Sequence, residues 1–180
     1  MPNYCYNRLT LRHADPALIN RAATAFKAGK LLDEFVPVPK ELRDTVSGSY
    51  AAGYARELHE FQQNLNIKYF GFRNWYDFCC ANWGTKWDVS GEVISEESNL
   101  LVVEFESAWS PPLDFYGTIQ NLGFEVTAYY WEPGMAFAGR FDQDGDEFFK
   151  VKSLEDAKNL STDIDEALEI YASMLEWEEA

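Results

Sequence analysis

The side chains in this chain that are capable of chemistry are three cysteines, two histidines and a surplus of carboxylates. Cys79 and Cys80 are adjacent and Cys5 is remote, whereas a structural zinc site needs four ligands at spacings such as Cys-x-x-Cys. His13 and His59 have no local partner to complete such a set. No metal is expected, and the thiols read as free and buried among aromatic side chains. A nucleophilic cysteine would need a base beside it in space, which only the fold could supply. Asp142-Gln143-Asp144-Gly145-Asp146 starts like a calcium loop, with acids at positions 1, 3 and 5. Position 6, where glycine belongs, is Glu147, and position 12 is Ser153 instead of a bidentate glutamate. The Asp-Gly pair reads as a tight hairpin turn. Nothing in these residues implies a cofactor.

Two other sets suggest binding. The aromatic residues Trp75, Trp83, Trp87, Trp109, Tyr129, Tyr130 and Trp131 can pack a core, or a partly exposed subset can anchor a partner, as Trp and Tyr often do at interfaces. The second set is the carboxylates of the C-terminal segment, among them Asp163, Glu166, Glu169 and Glu176. From Ser153 to Ala180 there are nine acids against one base, Lys158. They can form a solvated face or, spaced along a helix, imitate a phosphate backbone.

The totals narrow the partners. Thirty acids against fifteen bases give a net charge of −15. That charge repels phosphate backbones and anionic membrane surfaces, and no run of Lys or Arg offsets it. Direct nucleic-acid binding and membrane association are therefore disfavoured. The polar start of the chain and its odd cysteine count predict a reducing, cytoplasmic setting, and no apolar run approaches the length of a membrane span. With 47% hydrophobic and 16% aromatic residues in 180, a large core is available.

The elements that must position these residues can be read in order. Tyr4–Arg12 is a strand. Asp15-Pro16 caps a helix ended by Gly29, and Leu31–Val38 reads as a second strand limited by its prolines. Residues 40–82 form a helical insertion, with Tyr50, Tyr54, Leu58, Phe61 and Leu65 at helical spacing and a second helix ending near Asn82. Gly84 closes that helix in a left-handed turn. Lys86–Ile94, including Trp87, and Leu100–Ser107 read as a strand pair around the Ser95–Asn99 loop. Ser110, followed by Pro111-Pro112, caps the next helix. Strands follow at Phe124–Trp131, Met135–Phe141 and Glu147–Val151, and Thr162 caps a final helix. Strand, helix, strand units at both ends predict an α+β, ferredoxin-like sandwich with a split βαβ pattern. The organisation expected is one domain over residues 1–180, with an insertion at about 40–82 and an extension at about 135–180.

Met1-Pro2-Asn3-Tyr4-Cys5-Tyr6-Asn7-Arg8-Leu9, Phe35-Val36-Pro37-Val38-Pro39, Asn82-Trp83-Gly84-Thr85-Lys86-Trp87, Ala108-Trp109-Ser110-Pro111-Pro112 and Glu132-Pro133-Gly134 resemble the YubB-type ferredoxin-like domain family of bacteriophages and conjugative plasmids. The resemblance runs over most of Met1–Gly139, and Asn-Trp-Gly-Thr-Lys is its most specific part. Tyr4 stands where the family often has Trp. The resemblance implies a ferredoxin-like fold and a mobile-element origin, and it brings no catalytic residues.

The expectation is a non-catalytic accessory protein that engages a host or element protein, a basic one, including a nucleic-acid-handling or defence factor met by DNA mimicry. Trp75, Trp83, Trp87, Trp109, Tyr130, Trp131, Asp163, Glu166, Glu169 and Glu176 are its candidate interface residues. Two alternatives compete. One is an enzyme whose site assembles only in the fold, for example from His59, Asp77 and Asp88. The other is a nucleic-acid module that stacks bases on an open aromatic sheet.

Overall fold

A computed structural model describes residues 3–49 and 52–179, side chains to residue 178. Tyr50 of the helical stripe and Met1-Pro2 of the first quoted segment lie outside the described residues.

Six strands form one antiparallel sheet in the order β2-β3-β1-β4-β5-β6. They are β1 (Tyr4–Arg12), β2 (Gly91–Glu97), β3 (Leu100–Ala108), β4 (Glu125–Glu132), β5 (Phe137–Asp142) and β6 (Gly145–Lys150). With α1 (Pro16–Lys27) and α6 (Leu113–Gln120) the first four strands give the β-α-β-β-α-β order of a ferredoxin-like sandwich. The terminal hairpin β5–β6 widens the sheet beyond β4. Asp142 and Asp144-Gly145 form its turn: Asp142 pairs with Gly145, and the Asp144 amide donates to Asp142 Oδ1 at 2.8 Å.

Between α1 and β2 lie α2 (Leu31–Phe35), α3 (Lys40–Arg43), α4 (Tyr54–Phe70) and α5 (Trp75–Asn82). The strand expected over Leu31–Val38 is thus a helix and an extended tail. Its cause is remote in sequence: the Asp88 carboxylate accepts from the Leu32 and Asp33 amides at 2.9 and 2.8 Å, capping the first turn. The strand expected from Lys86 is also corrected, since residues 84–90 are a turn and irregular backbone, and pairing starts at Gly91. A Cβ on Gly91 would run into the Glu104 carbonyl, so glycine lets the edge strand approach there. Ser110 does not cap α6; Pro112 holds that position, and Ser110 Oγ donates to the Gly84 carbonyl at 2.5 Å.

Pleating sorts the side chains. Leu9, Leu11, Leu101, Val103, Val126 and Ala128 face a core built with Ile19, Ala22 and Phe26 of α1, Phe115 and Ile119 of α6, and Leu31 and Leu32 of α2. Trp131 and Ala138 face the other side, where a smaller cluster includes Val151, Ala157, Ile164 and Ile170. This second layer comes from α7 (Leu154–Lys158), α8 (Thr162–Leu168) and α9 (Ile170–Glu179). The single C-terminal helix expected from Thr162 is broken at Glu169, which adopts φ 52°, and Asp165 Oδ1 accepts from the Tyr171 amide at 2.8 Å to start α9.

Candidate functional site

Of the C-terminal helices, α8 packs on β4, β1 and β5 on the outer sheet face. Between these helices and the outer faces of β1, β3 and β2 runs a groove of about 820 Å³. Register aligns its floor: Tyr6 lies opposite Glu106 and Trp131, and Arg8 opposite Glu104, which in turn faces Glu92. The helical wall contributes Glu166, Glu169, Glu176 and Trp177. Six glutamates and one arginine therefore line the groove, and Arg8 is already engaged by Glu104 at 2.6 Å. Aromatic rings line one side. Trp131 lies between Tyr6, at a centroid distance of 5.8 Å, and Trp177, stacked at 5.3 Å and 19°. Carboxylates beside stacked rings suit a cationic group, which gains both charge neutralisation and a ring face.

The structure divides the ten residues named from sequence. Glu166, Glu169 and Glu176 line the groove, whereas Trp131 is as buried as Trp83 and forms its base, leaving Tyr6 and Trp177 as the exposed rings. Asp163 lies outside its lining and holds the layer instead, accepting from Arg140 at 2.9 Å and from the Tyr129 hydroxyl at 3.3 Å. Trp83 and Tyr130 are interior and correct the reading of them as anchors. Trp83 Nε1 donates to the Val36 carbonyl at 2.9 Å, and the Tyr130 hydroxyl donates to Asp146 at 2.7 Å. Trp75 is half-buried against the main core. Trp87 and Trp109 are exposed, but Lys86 Nζ lies 3.7 and 4.0 Å from their ring centroids, so the chain's own ammonium occupies that pair. Sequence reading missed Tyr6, Glu92, Glu104, Glu106 and Trp177. Only strand register and the fold-back of α9 bring them together, although the two-residue period of a strand puts Tyr6 and Arg8 on one side.

The segments behind the family resemblance have structural tasks. Gly84, at φ 84°, lies within 3.0 Å of the Leu113 amide by its missing Cβ. Thr85 Oγ1 donates to the Ala108 carbonyl at 3.0 Å, and the Phe115 amide donates to the Trp83 carbonyl at 3.3 Å. The Asn-Trp-Gly-Thr and Ala-Trp-Ser-Pro-Pro segments thus lock together at one end of the sheet. Glu132, almost fully buried, accepts from the Gly134 and Met135 amides and shapes the Glu-Pro-Gly turn.

The alternative catalytic set is only partly assembled. His59 and Asp77 line one cavity of about 520 Å³ together with Arg56, Glu60, Arg73 and Tyr76. Asp77 is paired with Arg73 at 2.8 Å, and His59 Nε2 lies 3.1 Å from the Gly48 carbonyl and 2.9 Å from Gln63. Asp88 is committed to capping α2. Cys5 and Cys79 are buried and Cys80 half-buried, all free. Burial pushes the Cys79 thiol up to about 12, with Cys80, Asp33 and Asp88 adding to it. Such thiols are not activated as nucleophiles. His13, at the far end of β1 from Cys5, packs on Phe124 and accepts from the Asp15 amide at 2.9 Å. Among the described residues, no group of three or more His, Cys, Asp or Glu side chains is placed to hold a metal ion, and no helix is long and apolar enough to cross a membrane.

No family model matches the chain, and no curated protein matches it. Among solved structures it is similar to the protein api92 from Yersinia pseudotuberculosis, of family DUF1281, at 13% identity and a TM-score of 0.41, covering 85% of this chain and 99% of that one.

Proposed function

We propose that the protein is a non-catalytic, acidic binding module whose groove takes a basic segment of a partner protein. The observation that carries this reading is the groove's lining of six glutamates and the exposed rings of Tyr6 and Trp177, packed on the buried Trp131, with its one arginine already paired. The surplus charge of the whole chain steers a basic partner toward it. The quoted segments support placing the protein among accessory proteins of phages and conjugative plasmids. The partner is then a basic, nucleic-acid-handling protein of the host or the element. Direct nucleic-acid binding is disfavoured, because acidic helices and glutamates occupy the sheet face on which RNA-binding sheets of this type stack bases.

The test is titration of an Arg- and Lys-rich peptide, followed by tryptophan fluorescence and calorimetry. Glu166→Lys with Glu176→Lys should weaken binding about tenfold or more, which is at least 1.4 kcal/mol, with the unfolding midpoint little changed. Unchanged affinity in that variant would remove the groove from the reading. Tight binding of single-stranded RNA at low salt would replace the reading with the nucleic-acid alternative.

A further inference from the structure

Helix α4 is amphipathic but turned inside out. The residues it presents to the rest of the protein are mainly polar. His59 reaches the Gly48 carbonyl, and the buried Asn66, itself held by Gln62 of the same helix at 2.9 Å, donates to the Arg73 carbonyl at 2.8 Å. The apolar stripe runs along the other side: Tyr54, Leu58, Phe61 and Tyr69 are exposed, and Leu65 between them is half-buried. Tyr54, Phe61 and Tyr69 are 79%, 60% and 68% exposed. A contiguous ribbon of large apolar side chains on a helix of 17 residues is the mark of a surface meant to be covered.

We propose that this stripe is covered by the same stripe of a second copy, the two α4 helices packing antiparallel about a two-fold axis near Phe61. Read from either end the stripe is Tyr-Leu-Phe-Leu-Tyr, the self-complementarity an isologous interface requires. Antiparallel pairing places Tyr54 beside Tyr69 of the partner subunit, Leu58 beside Leu65 of the partner subunit, and the two Phe61 rings at the axis. Charge favours the same occupant. Glu57 and Lys68 lie along one edge of the stripe, and in an antiparallel pair that edge faces its own copy. Glu57 of each protomer then comes within about 3 Å along the axis of Lys68 of the partner subunit, giving two symmetric ion pairs. α4 carries Arg56, Lys68, Glu57 and Glu60 and is formally neutral, whereas most other faces of a −15 chain would repel their copies. One helix per protomer makes a small interface, so the dimer should dissociate in the micromolar range.

Sedimentation across micromolar concentrations tests this. Expected are a concentration-dependent dimer, a monomer for Phe61→Ser with an unchanged unfolding midpoint, and a weaker dimer for Glu57→Lys. The double variant Glu57→Lys with Lys68→Glu should restore the dimer, which only charges paired across the axis explain. A chain monomeric at hundreds of micromolar, or a dimer that survives Phe61→Ser, would overturn the proposal. Failure of the charge exchange to restore association would overturn the antiparallel pairing. Peptide binding in the groove should be unaffected by Phe61→Ser, so the two readings stand or fall separately.

Discussion

Tyr130 shows how one side chain can be read correctly as aromatic and wrongly as an anchor. Its ring lies on the core face of β4, opposite Asn7 of β1 and Gly139 of β5, and its hydroxyl reaches across to Asp146. Burial raises its pKa, and the hydrogen bond to Asp146 and that carboxylate's charge raise it further, so it stays a neutral donor. The fit depends on Gly139, where a Cβ would collide with the Tyr130 hydroxyl and the Glu147 carbonyl. Gly139→Ala should destabilise the protein by about 1–3 kcal/mol through overpacking, measured by denaturant unfolding. Tyr130→Phe in the same background should recover part of that loss but not all, because the Glu147 backbone cannot retreat. An unchanged stability in Gly139→Ala would mean that the hairpin can slide away from β4. The sequence held no sign of this contact, since it joins residues that meet only through register. Trp83 and Trp87 make the same point: four residues apart in one quoted segment, one is core and the other exposed, and the strand expected to carry Trp87 starts only at Gly91.

At the scale of elements, periodicity identified most pieces and left their surroundings unread. β1, α1, β3, β4 and the Asp144-Gly145 hairpin were legible because their signals are local. α2 was not, since its cap is the carboxylate of Asp88, more than fifty residues on. α4 was legible as a helix, but spacing cannot say whether an apolar stripe faces inward. The C-terminal layer was half-read: its charge was visible, its break at Glu169 was not. Its docking leads to a pH prediction. Burial works against ionisation of Asp163, but hydrogen bonding and the Arg140 guanidinium outweigh it and hold the carboxyl below its ordinary 3.8. Asp156 is likewise lowered, by the Lys152 amide and the Ser153 hydroxyl that it engages at the start of α7. A lowered folded pKa contributes stability above the unfolded value and loses it as pH falls through the folded value. Asp88 has the opposite sign. Burial raises it against its backbone donors, so its contribution is largest in acid and declines as pH rises. Acidification below about pH 4 should therefore loosen α7–α9 first, seen as a change in Trp131–Trp177 fluorescence before the far-UV signal of the main core moves. Asp163→Asn should remove part of the pH dependence of that early step, and Asp156→Asn in addition should remove more. A single concerted acid transition in every probe would show that the outer layer does not open separately.

For the whole molecule, net charge should act on folding and on the proposed binding with opposite signs. With thirty acids and fifteen bases, the surplus of negative charges repels itself within one compact chain, and self-repulsion of that kind destabilises the folded state. The ion pairs do not offset it strongly. The pairs among the described residues, such as Arg21–Glu34 and Arg56–Glu60, lie at least partly exposed, where each contributes about 0–1 kcal/mol. Raising salt shortens the screening length to about 10 Å at 0.1 M, which weakens the long-range repulsion more than the contacts at hydrogen-bond distance. The unfolding midpoint should therefore rise between low and moderate sodium chloride. The same screening weakens the attraction between the glutamate-lined groove and a basic peptide, so affinity should fall over that range, mainly through a slower association rate. Thermal unfolding and peptide binding measured in the same buffers decide the matter. If stability and affinity moved together with salt, the charge would be acting on the fold alone. Opposite movement is expected of a protein that tolerates self-repulsion and uses the same field to attract a basic partner.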